Sequence, residues 1–116
     1  MNINEYQEKA REVAIYPNVG GVAQGDPSPL YYLGLGLAGE SGEIAEKLKK
    51  LFRDSNGEIT EEFVATLKGE LGDILWYVSN MCSELNMDFE DVFQGNIDKL
   101  FSRRDRGKLH GSGDDR

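Results

Sequence analysis

Cysteine and histidine are nearly missing from this chain of 116 residues: Cys82 and His110 are the only ones. A single cysteine forms no intrachain disulfide, so no covalent bridge staples the fold. A single histidine disfavours the di-iron centres of helical bundles, which are built on Glu-x-x-His pairs. No apolar run approaches the roughly 18 residues that a membrane span needs. The amino-terminal MNINEYQEKAREV is polar and acidic, unlike a secretory leader. Positive charge is scarce too, with 13 Lys+Arg against 21 Asp+Glu and a net charge of −8. Non-specific binding to nucleic acid draws on a basic surface, so that class is disfavoured. An acidic protein can still bind a polyanion when metal ions sit between the two. These absences lead us to expect a cytoplasmic protein with no membrane or nucleic-acid partner.

What the chain does have is helical periodicity, and no β-strand alternation of any length. The length suggests one domain, small enough that oligomerisation would help its core. A first helix is predicted over about residues 4–15, with Asn4 as cap and Gln7 three residues on. Residues 16–29, YPNVGGVAQGDPSP, read as loop. A second helix is predicted from Leu30 to Phe52, where Leu33, Leu37, Ile44, Leu48 and Leu51 keep a helical spacing broken once, around Glu40. RDSNGE ends it. Thr60 caps a third helix to about Leu85, striped by Phe63, Leu67, Leu71, Ile74, Val78, Cys82 and Leu85. Asp88, with Asp91 three residues on, caps a fourth that ends near Arg104. The expected fold is all-α, of four-helix-bundle type, over residues 1–104. Residues 105–116 form a glycine-rich, charged tail that is flexible where unsupported.

One pattern is written twice. GESGEI at 39–44 returns as GELGDI at 69–74, pairing Glu40 with Glu43 and Glu70 with Asp73. Residues three apart share a helix face, so each pair is adjacent. Two antiparallel helices burying their stripes would bring the pairs together. Four gathered carboxylates repel one another unless a cation is present. A solvated face of salt bridges accounts for Glu46 and Lys50, and offers Glu43 and Lys47 as a second pair at the same spacing. It fails for Glu40, Glu70 and Asp73, which have no Lys or Arg three or four residues away. Gly39, Gly42, Gly69 and Gly72 each cost a helix about 0.8–1.0 kcal/mol relative to alanine. That sacrifice suggests close helix packing or a ligand. An all-oxygen site suits a hard cation, Mg²⁺ or Mn²⁺.

Two other motifs fail on context. GLGLAG, residues 34–39, lies within a helical pattern rather than after a strand, so it is no dinucleotide fingerprint. FRDSNGEI echoes a calcium loop, yet its first and twelfth positions fall on Phe52 and Phe63, which cannot ligate.

The paired motif, with 26 residues between Glu43 and Glu70, resembles the MazG-like all-α nucleoside triphosphate pyrophosphohydrolases. LGLAGESGEIAEKLKK, KGELGDILWYVSNM, NIDKLFSRRDRG and the closing HGSGDDR extend the resemblance over nearly the whole chain. It implies hydrolysis of a nucleoside triphosphate to a monophosphate and pyrophosphate by a Mg²⁺-dependent homodimer or homotetramer, with Mn²⁺ able to substitute. Glu40, Glu43, Glu70 and Asp73 would hold the metal, and Glu43 would be the base. Tyr77 and Asn80 share a helix face with Asp73. Tyr77 would stack on the base or else pack in the core, and Asn80 would read the base edge or sugar. Asn96, Lys99 and Arg103 lie on one face of the fourth helix, for phosphate contact or plain solvation. Arg104, Arg106 and Lys108 would add charge if the tail folds over substrate. The rival is a non-catalytic helical interaction module whose carboxylates are structural or bind metal without turnover.

Overall fold

Asn2, rather than Asn4, starts the first helix. In the computed structural model, which describes residues 1–116, its side chain accepts from the Glu5 amide at 2.8 Å and donates to the Glu5 carboxylate at 2.8 Å. Helix α1 spans Ile3–Glu12, α2 Ser28–Asp54, α3 Glu61–Glu84 and α4 Phe89–Asp105, with a 3-10 turn over Gly21–Gln24 and no strand. The expected all-α class is therefore the observed one. Thr60 caps α3 as expected, accepting from the Phe63 amide at 3.1 Å. Asp88 stands at the N-cap of α4 but its side chain makes no capping bond. Gln7 of α1 accepts from the Phe89 amide instead, at 2.9 Å, and Asn4 donates to Glu90 at 2.9 Å. The two residues expected to cap α1 thus tie it to the start of α4.

The α2 and α3 helices form an antiparallel hairpin, since Gly36 lies against Tyr77 while Lys47 lies against Glu70. Helix α1 packs across the later part of α3. There a buried carboxylate, Glu84, organises the loop between α1 and α2. It accepts from Arg11 at 2.8 Å, the Tyr16 hydroxyl, the Gly20 amide at 2.8 Å and the Val22 amide at 3.4 Å. Burial pushes its pKa up, but the bonds from Tyr16, Gly20 and Arg11 outweigh that and hold it below the usual range. A buried charge is tolerated when paired and hydrogen-bonded in this way. Gly20 and Gly25 flank the 3-10 turn at φ of +83° and +86°, a region glycine enters without strain.

Helix α4 is held at its start, where Phe89 is buried beside Tyr6 of α1 with ring centroids 6.3 Å apart. Further along, a groove lined by Leu75, Val78, Val92, Phe93 and Ile97 opens between α3 and α4. Residues after α4 turn back onto it, with Gly107 and Gly113 at φ of +69° and +88°. The chain has a radius of gyration of 17.2 Å, against about 13 Å for a compact domain of this length.

Candidate metal and nucleotide site

Helix α2 presents Tyr32, Gly36, Glu40 and Glu43 at intervals of four, four and three, one continuous face. The facing stretch of α3 presents Glu70, Asp73 and Tyr77. Where the two faces meet, one ligand oxygen each from Glu40, Glu43 and Glu70 lies within 4.8 Å of the others. Oε2 of Glu40 and Oε2 of Glu70 are buried without a hydrogen-bond donor. Two such oxygens need a shared proton or a cation between them. Glu40 is pushed up to about 7, first by its hydrogen bond with Glu70, then by burial and the charges of Asp73, Glu43 and Glu70. Glu70 stays lowered by the same bond and by Lys47. These hard oxygen donors, with buried lone pairs unsatisfied, fit a divalent cation of the Mg²⁺ or Mn²⁺ type.

The sequence offered Glu43 as the partner of Lys47, one turn away on the same helix. The Lys47 Nζ lies 3.4 Å from Oε1 of Glu70, across the hairpin. Spacing within one helix carries no information about a partner on the opposite helix. Lys47 and Glu43 form no ion pair. Asp73 stands outside the tight group of three, exposed one turn beyond Glu70. Its charge still acts on Glu40, Tyr77 and Tyr6.

Tyr77 lies flat on α2. A Cβ at Gly36 would stand 2.1 Å from its ring. Burial raises the Tyr77 hydroxyl pKa, and the nearby Tyr32, Glu40 and Asp73 add to it. Tyr32, which stacks on Tyr16 at 5.5 Å, is 44% exposed and so presents an aromatic surface next to the carboxylates. The four-residue step from Tyr32 to Gly36 and on to Glu40 was its signal in the sequence. Trp76 packs edge-on between Tyr16 and Tyr77.

Asn80 does not join this site. It is 0% exposed, accepts from Arg11 at 3.2 Å and donates to the Trp76 carbonyl at 3.2 Å. It shares the Asp73 face of α3, but two turns on that face is covered by α1. Its expected contact with the base edge or sugar is therefore corrected to a structural role. Asn96 is exposed on the wall of the α3–α4 groove. Lys99 and Arg103 make no ion pair with the hairpin carboxylates. They hold Asp114 of the tail, at 2.8 and 3.0 Å. The glycines that flank the carboxylates do not serve close packing within one chain. A Cβ at Gly39, Gly42, Gly69 or Gly72 would meet nothing within 4 Å.

Fold and site together define an all-helical protein with a cluster of three carboxylates, flanked by aromatic side chains. Residues 31–107 match the MazG nucleotide pyrophosphohydrolase domain, and the chain belongs to that family. It is also 45% identical, over the full length of both chains, to the Gene 37 protein of Mycobacterium phage L5. No solved structure gives a significant match.

Proposed function

We propose that the chain is a Mg²⁺-dependent nucleoside triphosphate pyrophosphohydrolase. It converts a (d)NTP and water to the monophosphate and diphosphate, as a cytoplasmic homodimer or homotetramer in nucleotide-pool control. The observation that carries this reading is the convergence of Glu40, Glu43 and Glu70 with two buried oxygens that lack donors. Membership of the family supports the reaction class.

In this reading Glu40, Glu43, Glu70 and Asp73 hold the metal. Bound there, it offsets triphosphate charge, polarises the α-phosphorus and acidifies a water. Glu43, the exposed member of the tight group, accepts the proton of the attacking water in this reading. The water oxygen bonds to the α-phosphorus as the bond to the bridging α–β oxygen breaks, and diphosphate leaves with that oxygen. Lys47 stands over Glu70 and supplies positive charge at the same edge. Tyr77, seated on Gly36, and the exposed Tyr32 offer ring faces to the nucleobase. Asn96, Lys99 and Arg103 complete the phosphate contacts, contributed by α4 of a neighbouring subunit.

The test is diphosphate release from a panel of nucleoside triphosphates. Turnover is expected with Mg²⁺ or Mn²⁺ and none in excess EDTA. Full turnover in EDTA would refute the carboxylate–metal reading. Metal binding with no turnover on any nucleotide would favour a non-catalytic module.

A further inference from the structure

The cations of α4 are already occupied. Lys99 and Arg103 are four residues apart on one face, and both contact the same oxygen, Oδ1 of Asp114, at 2.8 and 3.0 Å. Arg103 also donates to the Asp114 backbone carbonyl, and all its side-chain hydrogen bonds go to Asp114. Arg103 as a whole is only 5% exposed, unusual for a charged residue near a helix end. The segment that covers it is folded rather than trailing. Arg116 donates to the carbonyls of Lys108 at 3.1 Å, Leu109 at 3.1 Å and Gly113 at 2.6 Å. Arg106 donates to the Arg116 carbonyl at 2.8 Å. The result is a loop that lays the Asp114 carboxylate, itself 78% exposed, against two cations. Lys99 and Arg103 hold that carboxyl below its usual range.

An oxygen held by two cations is the arrangement a phosphoryl oxygen takes. We propose that residues 107–116 are a built-in competitor. Asp114 occupies the Lys99–Arg103 pair until a triphosphate takes its place, and the loop then leaves α4. The inference rests on the reading of Lys99 and Arg103 as phosphate contacts. Its physics is that of linked equilibria. A tethered carboxylate is present at high effective concentration, so it fills the pair at rest. The external ligand binds only the open fraction, and its apparent affinity falls by that fraction. A triphosphate carries several charged oxygens against the single carboxylate of Asp114, so it wins when present.

The experiment uses the full chain, with inorganic triphosphate and Mg²⁺ as the probe. Calorimetry should show Asp114→Asn binding triphosphate about threefold to tenfold more tightly than wild type, the range expected when a modest internal ion pair no longer competes. Trypsin should cut after Lys108 faster in wild type once triphosphate is added. In Asp114→Asn the cut should be fast with or without it. Wild-type or weaker affinity in Asp114→Asn would overturn the proposal, as would a tail that stays protected in saturating triphosphate. The Lys99→Ala, Arg103→Ala double variant separates the two readings. Metal-dependent turnover together with unchanged triphosphate affinity in that variant would leave the hydrolase standing and reduce the pair to an anchor for the tail. Triphosphate-driven release of the tail without turnover on any nucleotide would leave the competitor standing and remove the hydrolase.

Discussion

Glu40 concentrates the electrostatic cost of the site in one side chain. Its carboxyl is raised from 4.5 to about 7 because Glu70, burial and the charges of Asp73 and Glu43 favour the protonated form. A folded-state pKa above the unfolded value means that the fold gains stability from the bound proton. That gain is complete below about 4.5 and is lost as pH rises through about 7. The metal-free protein should therefore melt at progressively lower temperature between pH 5 and 8. Glu40→Gln, which needs no proton, should flatten the slope in scanning calorimetry; an unchanged slope would assign it to other groups. Metal takes the place of the proton, so Mg²⁺ affinity should climb over the same window. Asp73 gives the sharper test of the ligand set. As a ligand, its change to Asn should lower turnover by more than the roughly 10- to 100-fold typical of groups one step removed from a metal. A smaller loss would place Asp73 outside the metal's direct contacts. Arg11 stands at the opposite pole, with no part in the chemistry. Arg11→Ala leaves Glu84 buried with one cation fewer, a loss of about 3 kcal/mol, readable as a lower denaturation midpoint without loss of metal binding.

At the scale of elements, the hairpin is where helical periodicity and tertiary contact part company. Thr60 and the helical span of α3 were legible because a cap and a 3.6-residue period are local, whereas the expected burial of the whole stripe fails at Leu71 and Leu85, which are exposed. Asn4 and Gln7 were misread because their partners, Glu90 and Phe89, lie more than eighty residues away. Asn80 was misread for the same reason, since periodicity fixes a face but not what covers it. The convergence of Glu40, Glu43 and Glu70 was legible because one helical turn fixes each local pair, while Asp73 stands outside the group. The pairing of Lys47 with Glu70 depends on hairpin register, which no single helix encodes. The glycines carry a testable form of this contrast. Gly36→Ala drives a methyl group into the Tyr77 ring, an overpacking cost of about 1–3 kcal/mol. Gly69→Ala meets open space and should raise helix stability by about 0.8–1.0 kcal/mol. Thermal melts should rank Gly69→Ala above wild type and Gly36→Ala below it. Equal melts would mean that Tyr77 yields without cost.

As a whole molecule, a single chain buries little of itself. Ten of 116 residues are buried, too few for a core that could hold four helices by itself. Leu71 on the hairpin and Ile97 on α4 are 51% and 47% exposed. They belong to two apolar surfaces, one along α2 and α3, the other the groove between α3 and α4. The surfaces share Leu75, so they run together. An apolar face of this continuity marks an interaction site, and the separation of Lys99 and Arg103 from the carboxylates gives a second copy a reason to cover it. A neighbour seated along α3 would bring the cations of its own α4 toward a site where Lys47 is already paired with Glu70. Light scattering at micromolar concentration should then report a dimer or tetramer. Leu71→Asp places a carboxylate in that contact, where an unpaired charge costs at least about 2 kcal/mol. The variant should shift toward monomer and lose turnover while its hairpin still binds Mg²⁺. A wild-type protein that is strictly monomeric and fully active would refute the shared site, and so would a monomeric Leu71→Asp that keeps wild-type kcat/KM.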